Sequence, residues 1–574
     1  MTTIFTDASE FADDQLTGFA ALYADRLRAV HGGVVALPSG DSIVAVVVGG
    51  GSGHYPAFAG LVGPGFASGA VVGNIFTSPS ASQIYSVARA ADRGRGVILT
   101  FGNYAGDVMN FGIAAERLRR EGIDTRIVVV TDDVASASDE QKRRGIAGDF
   151  TVFKALGAAA ADGLGIDEVE RVGRAANAAT RTLGVAFSGC TLPGADGPLF
   201  TVPAGMLGLG LGIHGEPGIR DVPMPSAPAL ARMLVDGVLD AAPHTGGGRI
   251  GVILNGLGTT KYEELFLLWG LVAPLLAERG LEPVDAEVGE LVTSLDMGGC
   301  SLTLIWLDDE LERFWRADAY APAYRKLAAP IAALDASAAL FDAGTSAASA
   351  VPDSSPAARD LAAGILGGLR LVADLLHEKE SELGAIDAVA GDGDHGRGMV
   401  KGIDAAVSAA TAAADADAGG GHLLAAAGQA WAARAGGTSG VLWGAALEAA
   451  GRSLGDTADR YTAADGVLAV EAFADAILDL GRATIGDKTL VDALLPFRDG
   501  LASAVGAGRP LAAAWQQAAA VAAAHAAATS ALTPKLGRAR PLAEKSVGTP
   551  DAGATSLGMI LVATGGLLSR KDDE

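Results

Sequence analysis

The chain predicts two fold classes in succession, an α/β first part and an all-α second part arranged as a helical barrel. Three observations carry this. Strand-like apolar runs at 43–48, 97–101, 127–131, 250–254 and 302–306 fall in the first part, several of them followed by Gly or Asp and a helix-like segment. Residues 333–358 are small, polar and proline-containing, as in a linker. Beyond them Leu361, Ile365, Leu369, Val372 and Leu376 recur at helical spacing, and strand-type runs become scarce. At 574 residues the chain exceeds one typical domain. The expected division is 1–332, a linker over 333–358, and 359–574.

Taken in order, the run at 43–48 leads into Gly49, Gly50, Gly51, Ser52, Gly53, His54, Tyr55 and Pro56. The G-x-G-x-x-G spacing fails whichever glycine starts it, so this is not a dinucleotide fingerprint. Neither G-x-x-x-x-G-K-[ST] nor H-R-D occurs, so the P-loop and protein-kinase readings lose their main support. The loop instead leaves His54 at the carboxyl end of a strand, where α/β sheets bind ligands. Asn103, Tyr104, Gly106 and Asp107 follow the second run in the same way. A third loop, 208–218, carries His214 between a glycine-rich approach and Gly215, Glu216, Pro217 and Gly218. Two such histidines and an aspartate, each after a strand, mark a candidate polar site.

The second part opens its polar positions with Asp387, Asp392, Gly393, Asp394, His395 and Gly396. Carboxylates are hard oxygen ligands suited to Mg²⁺ or Ca²⁺, and glycines let side chains at i, i+5 and i+7 converge. Alone, the cluster reads first as a solvated acidic turn and only second as a metal site. It is followed by Gly436, Gly437, Thr438, Ser439 and Gly440 opening a helix-like run, an arrangement that offers N–H groups to phosphate oxygens. Gly486, Asp487, Lys488, Thr489 and Asp492 come next, then Gly537, Arg538, Ser546, Asp551, Gly553 and Ser556. Four glycine-punctuated polar loops between Ala/Leu-rich helical stretches predict a barrel of helices with a polar site at one end.

Bulk properties narrow the function classes. A net charge of −24 argues against nucleic acid as a partner, though not against a nucleotide held by local loops. The mean hydropathy of +0.31 reflects alanine rather than a bilayer span: the charge-free stretch 511–534 contains Gln516, Gln517 and His525 and reads as a buried or amphipathic helix. No membrane partner is expected. The first residues show no basic and apolar leader pattern. Cys190 and Cys300 cannot by themselves build a disulfide framework or a zinc site, so a cytoplasmic setting is expected.

With these motifs assembled, the chain resembles the single-chain, ATP-dependent dihydroxyacetone kinases over nearly its whole length. Residues 49–56, Phe76 to Ser80, 103–107 with Asn110, Phe111 and Gly112, 212–218 and Thr293 to Met297 look like the ketose-binding K domain, expected as two α/β subdomains. Residues 387–396, 436–440, 487–494 and 537–556 look like the nucleotide-binding L domain.

The resemblance implies roles. His214 would attack the carbonyl of a small ketose and hold it as a covalent hemiaminal. That excludes polyols, which lack a carbonyl. His54 and Asp107 would hold the terminal hydroxyl, His54 as general base. Gly51, Ser52, Gly53 and Ser78 would line the pocket, with Gly102 beside them. Asp387, Asp392 and Asp394 would bind two Mg²⁺ ions with ATP. His395, Gly437, Thr438, Ser439, Gly486, Thr489, Arg538, Asp551 and Gly553 would surround the nucleotide. A homodimer is also implied.

The departures from the family pattern lie at the sugar end. Tyr55 stands where Glu is common, Phe58 where His is common, and Gly102 where a Lys usually precedes the Asn-Tyr-x-Gly-Asp motif. Losing the lysine removes a donor and makes room. The expected substrate is therefore a larger short-chain ketose, the C4 sugar erythrulose first and dihydroxyacetone next. Three other readings use the same residues: a phosphocarrier-linked system with a permanently bound ADP, a ketose-sensing regulator, and a lyase side activity on FAD-type nucleotides. The single chain, and the intact Asp387, Asp392, Asp394 and His214, favour a kinase using exchangeable ATP.

Overall fold

The computed structural model describes residues 2–38, 42–243, 247–329, 351–435, 437–536 and 542–572. The chain divides into two compact units, Met1–Ala338 and Ala339–Glu574. Most of the stretch expected as a linker lies outside the described residues. Its last three residues are helical, because a helix begins at Pro356 with Ser355 as its N-cap, the Ser355 hydroxyl accepting from the N–H of Ala358. The Ser-Ser-Pro run that reads as linker is the start signal of that helix.

The first unit is built on two large sheets among the described residues, with a two-stranded one formed by Ala319–Tyr320 and Arg325–Lys326. The first has the order β1-β2-β4-β3-β5-β6, with β1 (Leu27–Val30), β2 (Gly33–Ala36), β3 (Ala45–Ser52), β4 (Gly69–Ile75), β5 (Val97–Gly102) and β6 (Thr125–Val130). Strands β4, β3, β5 and β6 run parallel, and the β1–β2 hairpin adds an antiparallel edge. Continuous apolar runs such as Val46–Val47–Val48 and Ile98–Leu99 suit strands covered on both faces. Strand β3 extends through the glycine run read from sequence as loop, Gly49 to Gly51 pairing with Val71 to Gly73. Glycine is tolerated there because neighbours occupy the missing side-chain space. A Cβ at Gly49 would lie 3.2 Å from the Phe111 ring, one at Gly50 2.8 Å from the Phe58 ring, and one at Gly51 2.6 Å from the backbone of Thr77.

The second sheet comprises β7 (Thr180–Ser188), β8 (Met206–Leu209), β9 (Arg220–Pro223), β10 (Arg249–Gly258), β11 (Glu282–Pro283), β12 (Glu287–Gly289) and β13 (Gly298–Trp306). Its long pairings β10–β13 and β13–β7 are antiparallel. Helices Ala227–Leu239 and Tyr262–Glu278 bury Leu230, Leu234, Leu265, Leu268 and Val272 with the apolar residues of this sheet. The helix Asp149–Ala161 is buried along almost its whole length, in a core that includes Val46 of the first sheet and Ile253 and Ile305 of the second.

The second unit is a closed ring of eight long helices among the described residues: α1 (Pro356–Asp387), α2 (His395–Asp415), α3 (Gly420–Ala435), α4 (Gly437–Leu454), α5 (Ala463–Gly481), α6 (Val491–Gly506), α7 (Leu511–Ala528) and α8 (Ala552–Asp572). Each packs on the next, and α8 returns against α1. Their facing apolar residues, among them Leu369, Ile403, Trp431, Trp443 and Phe497, line an interior cavity of about 600 Å³. Helix α8 is long and apolar enough to span a bilayer by length and composition, and here it is a wall of the ring, burying Ala554, Leu557 and Leu561. Helices α3 and α4 approach through glycines spaced two turns apart. A Cβ at Gly428 would lie 2.5 Å from the carbonyl oxygen of Gly444, and one at Gly421 would lie 2.8 Å from that of Gly451.

Helix glycines make a paired test. A Cβ at Gly157 would lie 1.9 Å from the carbonyl oxygen of Phe66, whereas one at Gly270 meets nothing within 4 Å. Gly157→Ala is expected to lower stability by about 2 kcal/mol or more through overpacking. Gly270→Ala should raise it by roughly 0.5–1 kcal/mol through helix propensity. Denaturant midpoints of the two variants check both signs.

Candidate active site

At the sugar end the chain folds so that loops from both sheets meet. His54 follows the end of β3, and Gly53 before it takes a φ of 100° that favours glycine. His214 sits in the β8–β9 connection, and Thr293 in the β12–β13 connection. The His54 Nδ1 lies 2.8 Å from the Thr293 carbonyl oxygen, which can only accept, so that nitrogen carries the proton. The His214 Nδ1 is 2.8 Å from Glu216 Oε1 and likewise donates, while Glu216 Oε2 accepts the backbone N–H of His214. The two Nε2 atoms are 3.0 Å apart. Burial first, then the neighbouring His214, pushes His54 down to about 3, so it faces His214 as a neutral acceptor. Glu216 is held at about 2, because the His214 hydrogen bond and charge outweigh the effect of burial.

Both ends of this chain of groups are anchored. Arg144 lies 3.8 Å from Glu216 and 2.9 Å from the buried Asp133. Asn255 on β10, fully buried, accepts the N–H groups of Leu291 and Val292 and donates to the Val292 carbonyl, which fixes the loop carrying Thr293. Phe76 stacks on His54 at 5.1 Å, and Tyr104 meets His214 edge-on at 5.1 Å.

Asp107 lies in the first turn of the helix Ala105–Arg120, directly after β5. Burial lifts its carboxyl to about 6, against a lowering contribution from the Ser78 hydroxyl. The Ser78 Oγ accepts from Asn110 Nδ2 at 3.3 Å. The Oδ1 of Asp107 and the Oγ of Ser52 are buried without a hydrogen-bond partner among the described residues. Gly51 and Gly53 serve close approach, since side chains there would strike Thr77 and the Phe76 ring. Gly102 closes β5 beside Tyr104 and Gly145.

In the second unit the N-termini of α2, α4, α6 and α8 gather at one end of the ring. The His395 Nε2 lies 3.0 Å from the Ser556 Oγ on α8. A Cβ at Gly553 of α8 would contact Leu490, which caps α6, and one at Gly398 of α2 would lie 3.8 Å from the carbonyl oxygen of Ala435 before α4. Asp387 ends α1, and its Oδ2 accepts the N–H of Gly393, whose φ is 76°. The turn so formed brings carboxylate oxygens of Asp387, Asp392 and Asp394 within 4.8 Å of one another. Burial lowers the affinity of His395 for a proton. Thr438 and Ser439 are exposed in the first turn of α4, which Gly437 opens.

Asp492 accepts the N–H groups of Gly486 and Thr489 and shapes the turn between α5 and α6. Asp551 caps α8 through the N–H of Ala554, and burial raises its carboxyl to about 6. Arg538 lies outside the described residues. The structure adds residues not singled out from sequence as site members: Glu216, Thr293, Asn255, Arg144 and Tyr104 at the sugar end, and Lys488, whose Nζ donates to the Leu532 and Ser546 carbonyls, in the second unit. Lys488 has a positive φ of 61°, a conformation its sequence does not announce.

Residues 17–323 match the Dak1 domain and 389–565 the DAK2 domain. The chain is 58% identical to a D-erythrulose kinase of Mycolicibacterium smegmatis, over 97% of both chains. It is 53% identical to an L-erythrulose kinase of Pectobacterium atrosepticum, over 99% of this chain and 97% of the other. Among solved structures it resembles the dihydroxyacetone kinase from C. freundii in complex with AMP-PNP and Mg²⁺, at 30% identity and a TM-score of 0.58, over 98% of this chain and 99% of that one.

The elevated carboxyl of Asp107 has a sign that can be measured. Its pKa rises from the ordinary 3.8 to about 6 on folding, so the stability it contributes is full below 3.8 and lost as pH climbs through about 6. Asp107→Asn removes that loss. At pH 7.5 the variant should be more stable by on the order of 2 kcal/mol, with the gain vanishing toward pH 4. Hydrogen exchange of the β5 amides at both pH values reads the difference.

Proposed function

The chain belongs to the dihydroxyacetone kinase family, and on that footing we propose that it transfers the γ-phosphate of ATP to a terminal hydroxyl of a short-chain ketose held covalently on His214. The observation that carries this reading is the His214 Nε2, oriented by Glu216 and facing the neutral acceptor His54. His54 first takes the proton shared between the two Nε2 atoms, which frees the lone pair of the His214 Nε2. That pair attacks the ketose carbonyl carbon and forms the C–N bond, the carbonyl π pair moves to oxygen, and His54 returns the proton to that oxygen, giving the hemiaminal hydroxyl. The cationic ring so formed keeps its Nδ1–H on the Glu216 carboxylate, which balances its charge. A polyol offers no carbonyl and is rejected by chemistry rather than by shape.

We assign the general base to Asp107 rather than to His54. A base works best when its pKa lies near the working pH, and about 6 suits this better than about 3. Asp107 would accept the terminal hydroxyl's proton as that oxygen attacks the γ-phosphate.

The donor set at Asp387, Asp392 and Asp394 fits a hard divalent cation, being three close carboxylates on a glycine turn. We assign Mg²⁺ to it, as two ions. When bound, they supply neutralisation of phosphate charge. The surrounding residues do the positioning. His395 is held by Ser556 at the start of α2, and the first turns of α2, α4, α6 and α8 present N–H groups and positive helix ends to the same region.

For the acceptor we favour erythrulose over dihydroxyacetone. The relatives at 58% and 53% identity bear the names D- and L-erythrulose kinase, and Gly102 leaves the pocket without a lysine.

Intact-protein mass spectrometry should show a ketose increment that His214→Ala loses. Asp392→Ala should keep the increment while turnover drops by on the order of a hundredfold or more. Normal turnover in Asp392→Ala would overturn the cation assignment. With purified protein and ATP as sole donor, kcat/KM should be higher for one erythrulose enantiomer than for dihydroxyacetone. A preference for dihydroxyacetone would overturn the C4 reading, and a need for a protein phosphodonor would overturn the use of ATP.

A further inference from the structure

Several buried polar atoms near the sugar end have no hydrogen-bond partner among the described residues, among them Ser52 Oγ, Asp107 Oδ1, Tyr104 Oη and Asp149 Oδ1. The first two belong to the pocket already described. Tyr104 and Asp149 have no part in the reaction as derived. A buried polar atom left unpaired costs about 1–3 kcal/mol, so several around one site call for an explanation.

Their placement supplies one. Gly102 and Gly145 face each other so closely that a Cβ at Gly145 would lie 2.5 Å from the Gly102 Cα. The same Cβ would lie 2.9 Å from Asp149 Oδ1, and a Cβ at Gly102 would lie 3.1 Å from Tyr104 Cε2. Tyr104 and Asp149 therefore flank one glycine pair, and the Tyr104 ring stands edge-on to His214 at 5.1 Å.

The charges around Asp149 sharpen this. Burial first, then the charges of Asp132 and Asp107, holds its carboxyl well above the usual range, which favours the protonated form that can both donate and accept. Asp132 is already engaged by the N–H groups of Ile146 and Gly148, and Arg144 by Asp133 and Glu216. A lysine at position 102 would put an ammonium next to this acid. Glycine leaves it a neutral carboxyl suited to a neutral hydroxyl.

We propose that Tyr104 Oη and Asp149 Oδ1 form a hydroxyl-binding subsite beside His214 for the additional hydroxymethyl group that a four-carbon ketose has and dihydroxyacetone lacks. This rests on the C4 reading above and names the residues that enforce it. Removing either partner leaves the substrate hydroxyl unpaired in a dry pocket, a penalty that falls on the longer ketose.

The test uses Tyr104→Phe, which keeps the ring against His214, and the isosteric Asp149→Asn. For wild type and both variants, kcat and KM are measured with the preferred erythrulose enantiomer and with dihydroxyacetone, and adduct formation on His214 is followed by mass. The ratio of kcat/KM for erythrulose over dihydroxyacetone should fall about tenfold or more in Tyr104→Phe, mainly through KM. Asp149→Asn should move it the same way. A wild type that prefers erythrulose, with variants whose ratio is unchanged, overturns the subsite and leaves the C4 reading standing. A wild type that prefers dihydroxyacetone overturns both. Should Asp149→Asn fail to fold, Tyr104→Phe alone decides.

Discussion

Glu216, His214, His54 and the Thr293 carbonyl form a line of hydrogen bonds whose two ends can only accept. That constraint leaves no freedom in the outer protons: each ring must present its Nδ1–H outward, and the two Nε2 atoms are turned toward each other. The nitrogen proposed to react is thus oriented by groups that have no part in the proposed reaction. Arg144 steadies one end and Asn255 the other, so the line ties the β3 loop to loops of the second sheet. The rest of the sugar end is arranged around it, from the Phe76 and Tyr104 rings against the imidazoles to the glycines that let those rings come close.

The two polar regions use opposite electrostatics. At the sugar end, burial pushes Asp107 up and His54 down, and the charge that remains on Glu216 is met by Arg144. At the acidic turn, two of the three carboxylates are exposed, and charge is concentrated rather than suppressed. The proposed carbonyl addition needs a neutral nucleophile, whereas the proposed triphosphate needs countercharge. The two environments lie in separate cores, and a single environment could not favour both.

Much of this was legible in the residues. Each apolar run gave its strand within a few positions, and the carboxylates at i, i+5 and i+7 converge as their glycines allow. His54, His214 and Asp107 stood out because glycine or a strand end framed each of them. What stayed hidden follows a physical pattern. Asn255 and Arg144 act through partners tens of residues away, and no local spacing encodes a long-range hydrogen bond. Glu216 was visible only as part of a turn, since its role depends on which way one imidazole faces. The glycines after Val48 read as loop because the rings of Phe58 and Phe111, which take up the space a side chain would fill there, come from elsewhere in the chain. Ser355 and Pro356 read as linker because a cap and a flexible tether share one composition.

Helices α3 and α4 touch backbone to backbone, with Gly421 and Gly428 on one side and Gly444 and Gly451 on the other, each pair seven residues apart. Seven residues are two turns, so the contact repeats along one face and sets the register of the two helices. The glue there is main chain, which no substitution can delete. Alanine scanning, whose logic is subtraction, therefore changes meaning along this seam: each replacement is an insertion of bulk. A sensitive position marks an intolerance of one methyl group, not the loss of a side chain's contribution.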